Sequence, residues 1–326
     1  MEGNSRWVFV TAIAPVAWGS SYFVTQQFLP PESPLYGAVL RALPAGILLL
    51  LLTRSRPRGS WWWKSFVLGT LNIGAFFALI YVAAQSLPTG IASTLMAFSP
   101  AAMMLLAWPV LAEKPRALAI VAATVGIAGV SLMLGTGDGV IEPIGAIASL
   151  TAMVFSSLGF VLTKKWSAGR NVLPLTAWQL VAGGLVIVPL AVLFEGAPPS
   201  LDPPAILGFG YLTVVATALA YVAWFSGLRH LSAGTVGLIG LLNPVTGVVL
   251  GTVLGGERFG TAQLTGMTLV LTGILLGQPF VGRILAMRGA VPSSKNARTD
   301  AIGHQRARAQ AMPLTGEASC AAPPSR

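Results

Sequence analysis

Leu87-Pro-Thr-Gly-Ile-Ala-Ser-Thr-Leu-Met-Ala-Phe-Ser-Pro100 leads into an apolar run that stops at Glu113, and Leu231-Ser-Ala-Gly-Thr-Val-Gly-Leu-Ile-Gly-Leu-Leu-Asn-Pro244 leads into another that stops at Glu257. A displacement of 144 positions carries residues 87–134 onto 231–278 without a gap. Gly90 then meets Gly234, Pro100 meets Pro244, Glu113 meets Glu257, Lys114 meets Arg258 and Gly129 meets Gly273. Apolar sequences match one another cheaply, so the weight lies on a proline, a Glu-base pair and two glycines falling in one register. A weaker match sets Trp18-Gly-Ser-Ser-Tyr-Phe-Val against Phe155-Ser-Ser-Leu-Gly-Phe-Val, and Arg41 against Gln179, each followed five residues later by a glycine (Gly46, Gly184).

Around these landmarks the chain reads as a series of bilayer-crossing helices, each needing about 20 apolar residues. The expected spans lie near 7–28, 35–53, 65–85, 88–110, 117–134, 144–163, 172–194, 205–227, 231–255 and 260–281, and Arg41 is the one obligate charge inside them. The predicted fold class is an all-α integral membrane protein of ten transmembrane helices in two repeats, 7–134 and 144–281, with a disordered basic cytoplasmic tail over 282–326. Five is odd, so the second repeat enters the membrane from the opposite side and the repeats are inverted. Inverted repeats place a substrate site near the midplane, where paired helices are interrupted by Pro or Gly. Here the interruptions are Ser99-Pro100 and Asn243-Pro244; a proline removes one backbone donor and frees a carbonyl in the preceding turn.

Composition agrees. Of 326 residues 54% are hydrophobic and 9% charged, against roughly 25% charged in soluble domains, and mean hydropathy is +0.75. The membrane domain uses nearly all the length, leaving no room for a soluble catalytic domain. The net charge of +10 sits mostly in alternate loops and the tail, which suits anionic lipid headgroups rather than nucleic acid. Cys320 is the lone cysteine, so neither an internal disulfide nor a cysteine metal cluster is expected. Glu2 and the lack of an A-x-A site predict an uncleaved first helix rather than a signal peptide.

Loop charge sets the orientation. With the N-terminus inside, inner loops carry Arg54, Arg56, Arg58, Lys64, Lys114, Arg116, Lys164, Lys165, Arg170 and Arg229, while outer loops carry Glu32, Asp138, Glu142, Glu195, Asp202 and Glu257 with Arg258 as their only base. The expectation is a multi-pass plasma-membrane protein with both termini cytoplasmic.

These landmarks resemble the EamA family of the drug/metabolite transporter superfamily over residues 7–281. Trp18-Gly19-Ser20-Ser21, Arg41, the run from Leu87 through Pro100 to Glu113, Thr217-Ala-Leu-Ala-Tyr221 and the run from Leu231 through Pro244 to Gly255-Gly-Glu257 carry the resemblance. It implies ten helices and carriage of small metabolites, often export of amino acids or related compounds, and leaves the substrate unnamed.

Six side chains are candidates for the substrate site: Trp18, Arg41, Asn72, Ser99, Tyr221 and Asn243, with Pro100 and Pro244 shaping its walls. A charge in a span costs roughly 3 kcal/mol on insertion scales, so Arg41 needs a purpose. Binding a substrate carboxylate is one; bonding freed carbonyls between helices, or snorkelling to the outer rim, is the other and the commoner. Asn72 and Asn243 carry amides that are expensive to leave unpaired in lipid. Trp18 and Tyr221 either stack on an apolar substrate or pack against neighbouring helices. Glu113 and Glu257 stand at helix–loop junctions, where a carboxylate satisfies the orphan amides of the next helix and favours its dipole. The ridge Gly247, Gly251, Gly255 admits a homodimer contact, though close packing within the bundle is the commoner use.

An enzyme would need a nucleophile with a base, or acidic and His clusters, at membrane depth. No span holds Asp or Glu, and His230 and His304 lie in an inner loop and the tail. No cofactor or metal is therefore expected, nor proton coupling through a membrane carboxylate. A carrier of neutral, zwitterionic or monoanionic small molecules, working in efflux, is the leading reading. The alternative is a non-transporting structural or sensory membrane protein.

Overall fold

The computed structural model describes residues 2–28, 32–86, 95–134, 142–254, 260–278 and 281. Glu257, Gly255 and the tail from 282 lie outside the described residues. Among the described residues every regular element is helical: α1 (Glu2–Phe28), α2 (Pro34–Thr53), α3 (Trp61–Gly69), α4 (Ala75–Ser86), α5 (Ser99–Leu111), α6 (Ala117–Leu134), α7 (Pro143–Trp166), α8 (Val172–Glu195), α9 (Pro203–Thr213), α10 (Ala220–His230), α11 (Ala233–Gly240), α12 (Leu242–Val253) and α13 (Thr261–Leu276). Seven helical stretches are long and apolar enough to cross a membrane, and three more, Ser99–Leu111, Ala117–Leu132 and Thr261–Leu276, are apolar but shorter.

Sequence punctuation accounts for the boundaries. Pro34, Pro143 and Pro203 open their helices, where a missing N–H costs nothing. Asn171, Asp202 and Ser232 cap α8, α9 and α11 by accepting from Leu173, Ala205 and Thr235 amides, an orphan donor satisfied in each case. The bundle is apolar on its outer face as well as in its core. Leu51, Leu193 and Leu207 are largely exposed, while Asn72, Thr163, Gln179 and Thr217 are buried.

Several helix pairs meet backbone on backbone, α3–α8 at Gly69 and Gly183 and α1–α12 at Gly19 among them, and two further close pairs show the repeat in space. A Cβ on Gly129 of α6 would meet the Gly266 carbonyl at 2.7 Å and the Val270 amide at 2.8 Å, and one on Gly273 of α13 would meet the Ala122 carbonyl at 2.7 Å and the Gly126 amide at 3.0 Å. The displacement of 144 carries 122, 126 and 129 onto 266, 270 and 273, so each helix touches the other at mutually equivalent positions, as a two-fold axis requires. The α2–α8 pair repeats this: Gly46 approaches Val181, and Gly184 approaches Leu43. In lipid, where tails are as apolar as leucine, such close approach of small residues is a main source of helix association.

A test follows from the absence of space. Gly129→Leu and Gly273→Leu should each lower the thermal midpoint of the purified protein in detergent, by more than the 1–3 kcal/mol typical of overpacking, because backbone cannot move aside. Gly210, with nothing within 4 Å of an added Cβ, is the control, and Gly210→Leu should leave the midpoint nearly unchanged. Equal midpoints in all three variants would remove the α6–α13 contact from the account of stability.

Candidate functional site

The helical stretches Trp61–Ser86 and Pro203–His230 are each interrupted by a wider, π-helical turn, Thr70–Gly74 between α3 and α4 and Val214–Leu219 between α9 and α10. The displacement of 144 carries Thr70 onto Val214, so the two turns are repeat mates. A π-turn shifts the hydrogen-bond ladder by one residue and strands a carbonyl. The Ala220 amide donates to the Thr217 and Val215 carbonyls, leaving the Ala216 carbonyl for another donor. Arg41 of α2 supplies it: its Nη2 donates to the Ala216 carbonyl at 3.1 Å and its Nε to Thr217 Oγ1 at 3.0 Å. The guanidinium also lies 5.3 Å from the centre of the Phe77 ring. In the other half, the Tyr221 hydroxyl donates to the Asn72 carbonyl at 3.3 Å. Residues 72 and 216 are equivalent under the same displacement, so each π-turn is closed by a side chain from the opposite repeat.

Beside the first π-turn lies a buried knot. Asn72 Nδ2 donates to Gln179 Oε1 at 2.8 Å and to Thr163 Oγ1 at 3.2 Å, and Thr163 Oγ1 donates to Gln179 Oε1 at 3.2 Å. A Cβ on Gly159 would stand 2.0 Å from Asn72 Oδ1, so α7 passes the amide with no side chain between. Asn72 is fully buried; it joins π-turn, α7 and α8 rather than facing an open wall. Gln179, the sequence counterpart of Arg41, thus tends the first π-turn as Arg41 tends the second.

Trp18, Tyr221 and Asn243 come together around α1. The Trp18 ring is edge-on to Tyr221 at 5.3 Å and tilted against Trp224 at 5.1 Å, and Phe160 reaches Trp224 at 5.4 Å. A Cβ on Gly19 would meet the Asn243 carbonyl at 2.4 Å, so α1 crosses α12 at Asn243. The Asn243 amide oxygen and Trp224 Nε1 are buried without a hydrogen-bond partner, each a group that favours an incoming donor or acceptor. Trp18, Arg41, Ser99 and Asn243 are half-buried and Tyr221 is buried. Ser99 opens α5 after a turn at Ala97–Phe98, and the span Ala233–Leu250 breaks at Leu241, between α11 and α12 and three residues before Pro244. The two breaks belong to helices in contact: a Cβ on Gly237 of α11 would lie 2.9 Å from Pro100 Cα.

Glu113 stands apart from this set. Its carboxylate accepts from the Ala233 amide at 2.8 Å and pairs with Lys164, whose ammonium also donates to the Leu231 carbonyl. It therefore caps α11, in the opposite repeat, rather than the following helix α6. The left-handed turn at Ala112 (φ 57°) redirects the chain before Pro115 and removes the local partner. Glu195 acts likewise at the other end of the bundle, accepting from the Leu35 and Tyr36 amides of α2 at 2.6 and 2.9 Å. Thr163 and Trp224 were not singled out by sequence, and Gln179, Phe160 and Lys164 were read there as a repeat counterpart of Arg41, part of a repeat match and a loop charge rather than as site residues. For Trp224 a signal existed, since Thr217, Tyr221 and Trp224 fall on one helical face.

The knot generates a measurable expectation. Asn72→Leu or Gln179→Leu strands a buried partner and should cost about 1–3 kcal/mol, read as detergent unfolding. The double variant should lose less than the sum, with a coupling of at least about 0.5 kcal/mol. Strict additivity would mean that the two amides do not support one another.

Comparison with known proteins gives a consistent result. The family model of the EamA-like transporter family matches residues 5–135 and 143–277, one copy per repeat. Protein PecM of Dickeya dadantii is 39% identical over 267 residues, covering 81% of this chain and 90% of its own length. The uncharacterized inner membrane transporter YedA of Escherichia coli K12 is 29% identical over 274 residues, covering 80% of this chain and 87% of its own. A solved crystal structure with 19% sequence identity superposes with a TM-score of 0.73 over 86% of this chain and 99% of its own, a likeness of fold. With one family match in each repeat and a relative at this level of identity across most of both chains, the protein is a membrane-embedded, multi-pass member of the EamA-like transporter family.

Proposed function

We propose that the protein carries small neutral, zwitterionic or monoanionic metabolites with apolar surface out of the cell, by alternating access through ten spans with both termini cytoplasmic. The observation that carries this reading is the pair of repeat-equivalent π-turns, each closed by a side chain of the opposite half. A carrier needs elements with two arrangements of similar energy. The second π-turn, bonded across the repeats through the exchangeable Arg41 contacts, is such an element, whereas the backbone-packed pairs α2–α8 and α6–α13 are not.

The substrate class follows from the chemistry near Asn243. The aromatic faces of Trp18, Tyr221 and Trp224 offer apolar contact, and the free oxygen of Asn243 with the free N–H of Trp224 offers one acceptor and one donor. Arg41 is engaged by the second π-turn. A substrate carboxylate would therefore exchange with the Ala216 carbonyl for the guanidinium, coupling occupancy to the turn. Among the described residues Asp and Glu lie at helix ends and loops, which favours exchange or downhill movement over proton coupling through a membrane carboxylate.

Purified protein in vesicles preloaded with unlabelled phenylalanine or leucine should exchange it for the labelled amino acid outside. Asn243→Leu should reduce that flux roughly tenfold at equal protein abundance, the equivalent of about 1.4 kcal/mol for one lost hydrogen bond. An imposed pH gradient should not drive accumulation. Flux unchanged by Asn243→Leu would take Asn243 out of the site, and no flux across a panel of neutral and monoanionic metabolites would favour a structural or sensory role.

Orientation has its own check. Reporter fusions after Arg170 and after Asp202 flank α8 and should report opposite sides, cytoplasmic and outer respectively. The same side for both would break the inverted arrangement.

A further inference from the structure

A second polar feature lies away from the midplane. Between the end of α2 and the starts of α3 and α8 is a cleft of about 680 Å³ lined by Arg54, Arg56, Arg58, Arg170, Trp62 and Trp178, among others. Its walls come from both repeats: residues 54–62 belong to the first and Arg170 and Trp178 to the second. Its shape is fixed rather than incidental. Trp178 Nε1 donates to the Ser55 carbonyl at 2.9 Å, Arg54 holds a left-handed cap (φ 47°) that ends α2, and the Arg170 guanidinium sits 5.0 Å from the centre of the Trp61 ring.

Four arginines thus line one cleft that no carboxylate lines. Among the described residues the recorded ion pair is Glu113–Lys164. The loop Arg54-Ser-Arg-Pro-Arg58 alternates exposed arginine with half-buried Ser55 and Pro57, so its three arginines share the open side. Orientation rules require basic residues in inner loops but not a walled cleft; Lys114 and Arg116, exposed and on the same predicted face, lie outside it. Guanidinium forks fit phosphate oxygens in pairs. Leu51, Leu52, Trp62 and Phe66 next to the cleft are mostly exposed, an apolar skirt directed at the bilayer beside a polar cup.

We infer that this cleft binds a single phosphate group, supplied by an anionic glycerophospholipid of the inner leaflet whose acyl chains lie along Leu51, Leu52 and Phe66. Bound there, the headgroup bridges the two repeats at the ends of α2 and α8 and holds that rigid pair at the membrane surface. A soluble phosphate shares the same chemistry but makes no use of the apolar skirt. The inference uses the orientation proposed above only for the choice of leaflet, and its failure leaves the transport reading untouched.

Native mass spectrometry of the full-length protein in neutral detergent, titrated with dioleoylphosphatidylglycerol, tests it. The wild type should hold one tightly bound lipid. The triple variant Arg56→Gln, Arg58→Gln, Arg170→Gln should weaken that binding at least tenfold, and Lys114→Gln with Arg116→Gln less than twofold. Replacing the same three arginines by lysine keeps the charge and should give an intermediate loss, which separates forked recognition from bulk attraction. Dioleoylphosphatidylcholine should bind much more weakly, and 10 mM inorganic phosphate should not displace the glycerol lipid. Thermal midpoints of the variants without added lipid should match the wild type, since these side chains are exposed. Displacement by inorganic phosphate would overturn the lipid as the source. Equal lipid binding by the wild type and the triple glutamine variant, or equal loss in the Lys114/Arg116 control, would overturn the site itself.

Discussion

A backbone carbonyl that loses its helical partner in hydrocarbon must find another donor, because an unsatisfied group there costs several kcal/mol. The Ala216 carbonyl is such a group, passed over by the Ala220 amide, and the Asn72 carbonyl at the repeat-equivalent position likewise takes a bond from a side chain of the opposite repeat. Arg41 enters the membrane to serve one. Tyr221 turns its hydroxyl to the other. The cost of placing a guanidinium in a span is offset by bonds a neutral side chain could not supply in the same number, and by the face of Phe77. Because each donor comes from the opposite repeat, the interaction that repairs the local defect also joins the halves.

The same constraint explains why polar residues cluster rather than scatter. Asn72, Thr163 and Gln179 bond one another within a single knot, at a point where Gly159 lets α7 come close, although Asn72 Oδ1 and Gln179 Nε2 stay buried without a partner. Outside the knot the bundle relies on shape. Glycines at 46, 184, 129 and 273 place backbone against backbone, and the tightly held pairs they make each contain one helix from either repeat.

Much of this was legible in the sequence, and what was not shares a cause. The repeat register, the breaks near Pro100 and Pro244, and the correspondence of Arg41 with Gln179 could be read directly, because prolines, glycines and intramembrane polar residues leave marks of composition. The π-turns could not. Thr-Leu-Asn-Ile-Gly at 70–74 and Val-Val-Ala-Thr-Ala-Leu at 214–219 share no signature, since a one-residue slip of the ladder demands no particular side chain. Partnership across the repeats was equally hidden. Glu113 caps a helix that begins 120 residues later, and nothing local to either segment announces it.

The packing bears on how such a bundle can move. Rocking one whole repeat against the other would pull Gly129 from Gly266 and Gly46 from Val181, separating backbones already in contact along α6–α13 and α2–α8. It would also pull Glu195 from the α2 amides and Glu113 from α11. The first π-turn is held as closely, with Gly69 and Gly74 at its ends against Gly183 and Val186 of α8, whereas the second, Val214–Leu219, is bonded by Arg41 at Ala216 and Thr217. The close pairs straddle the repeats, so the two halves are joined by backbone contact as well as by side-chain bonds. Arg41, which bonds the second π-turn from the opposite repeat, is thus placed where a change at that turn would be felt by both halves.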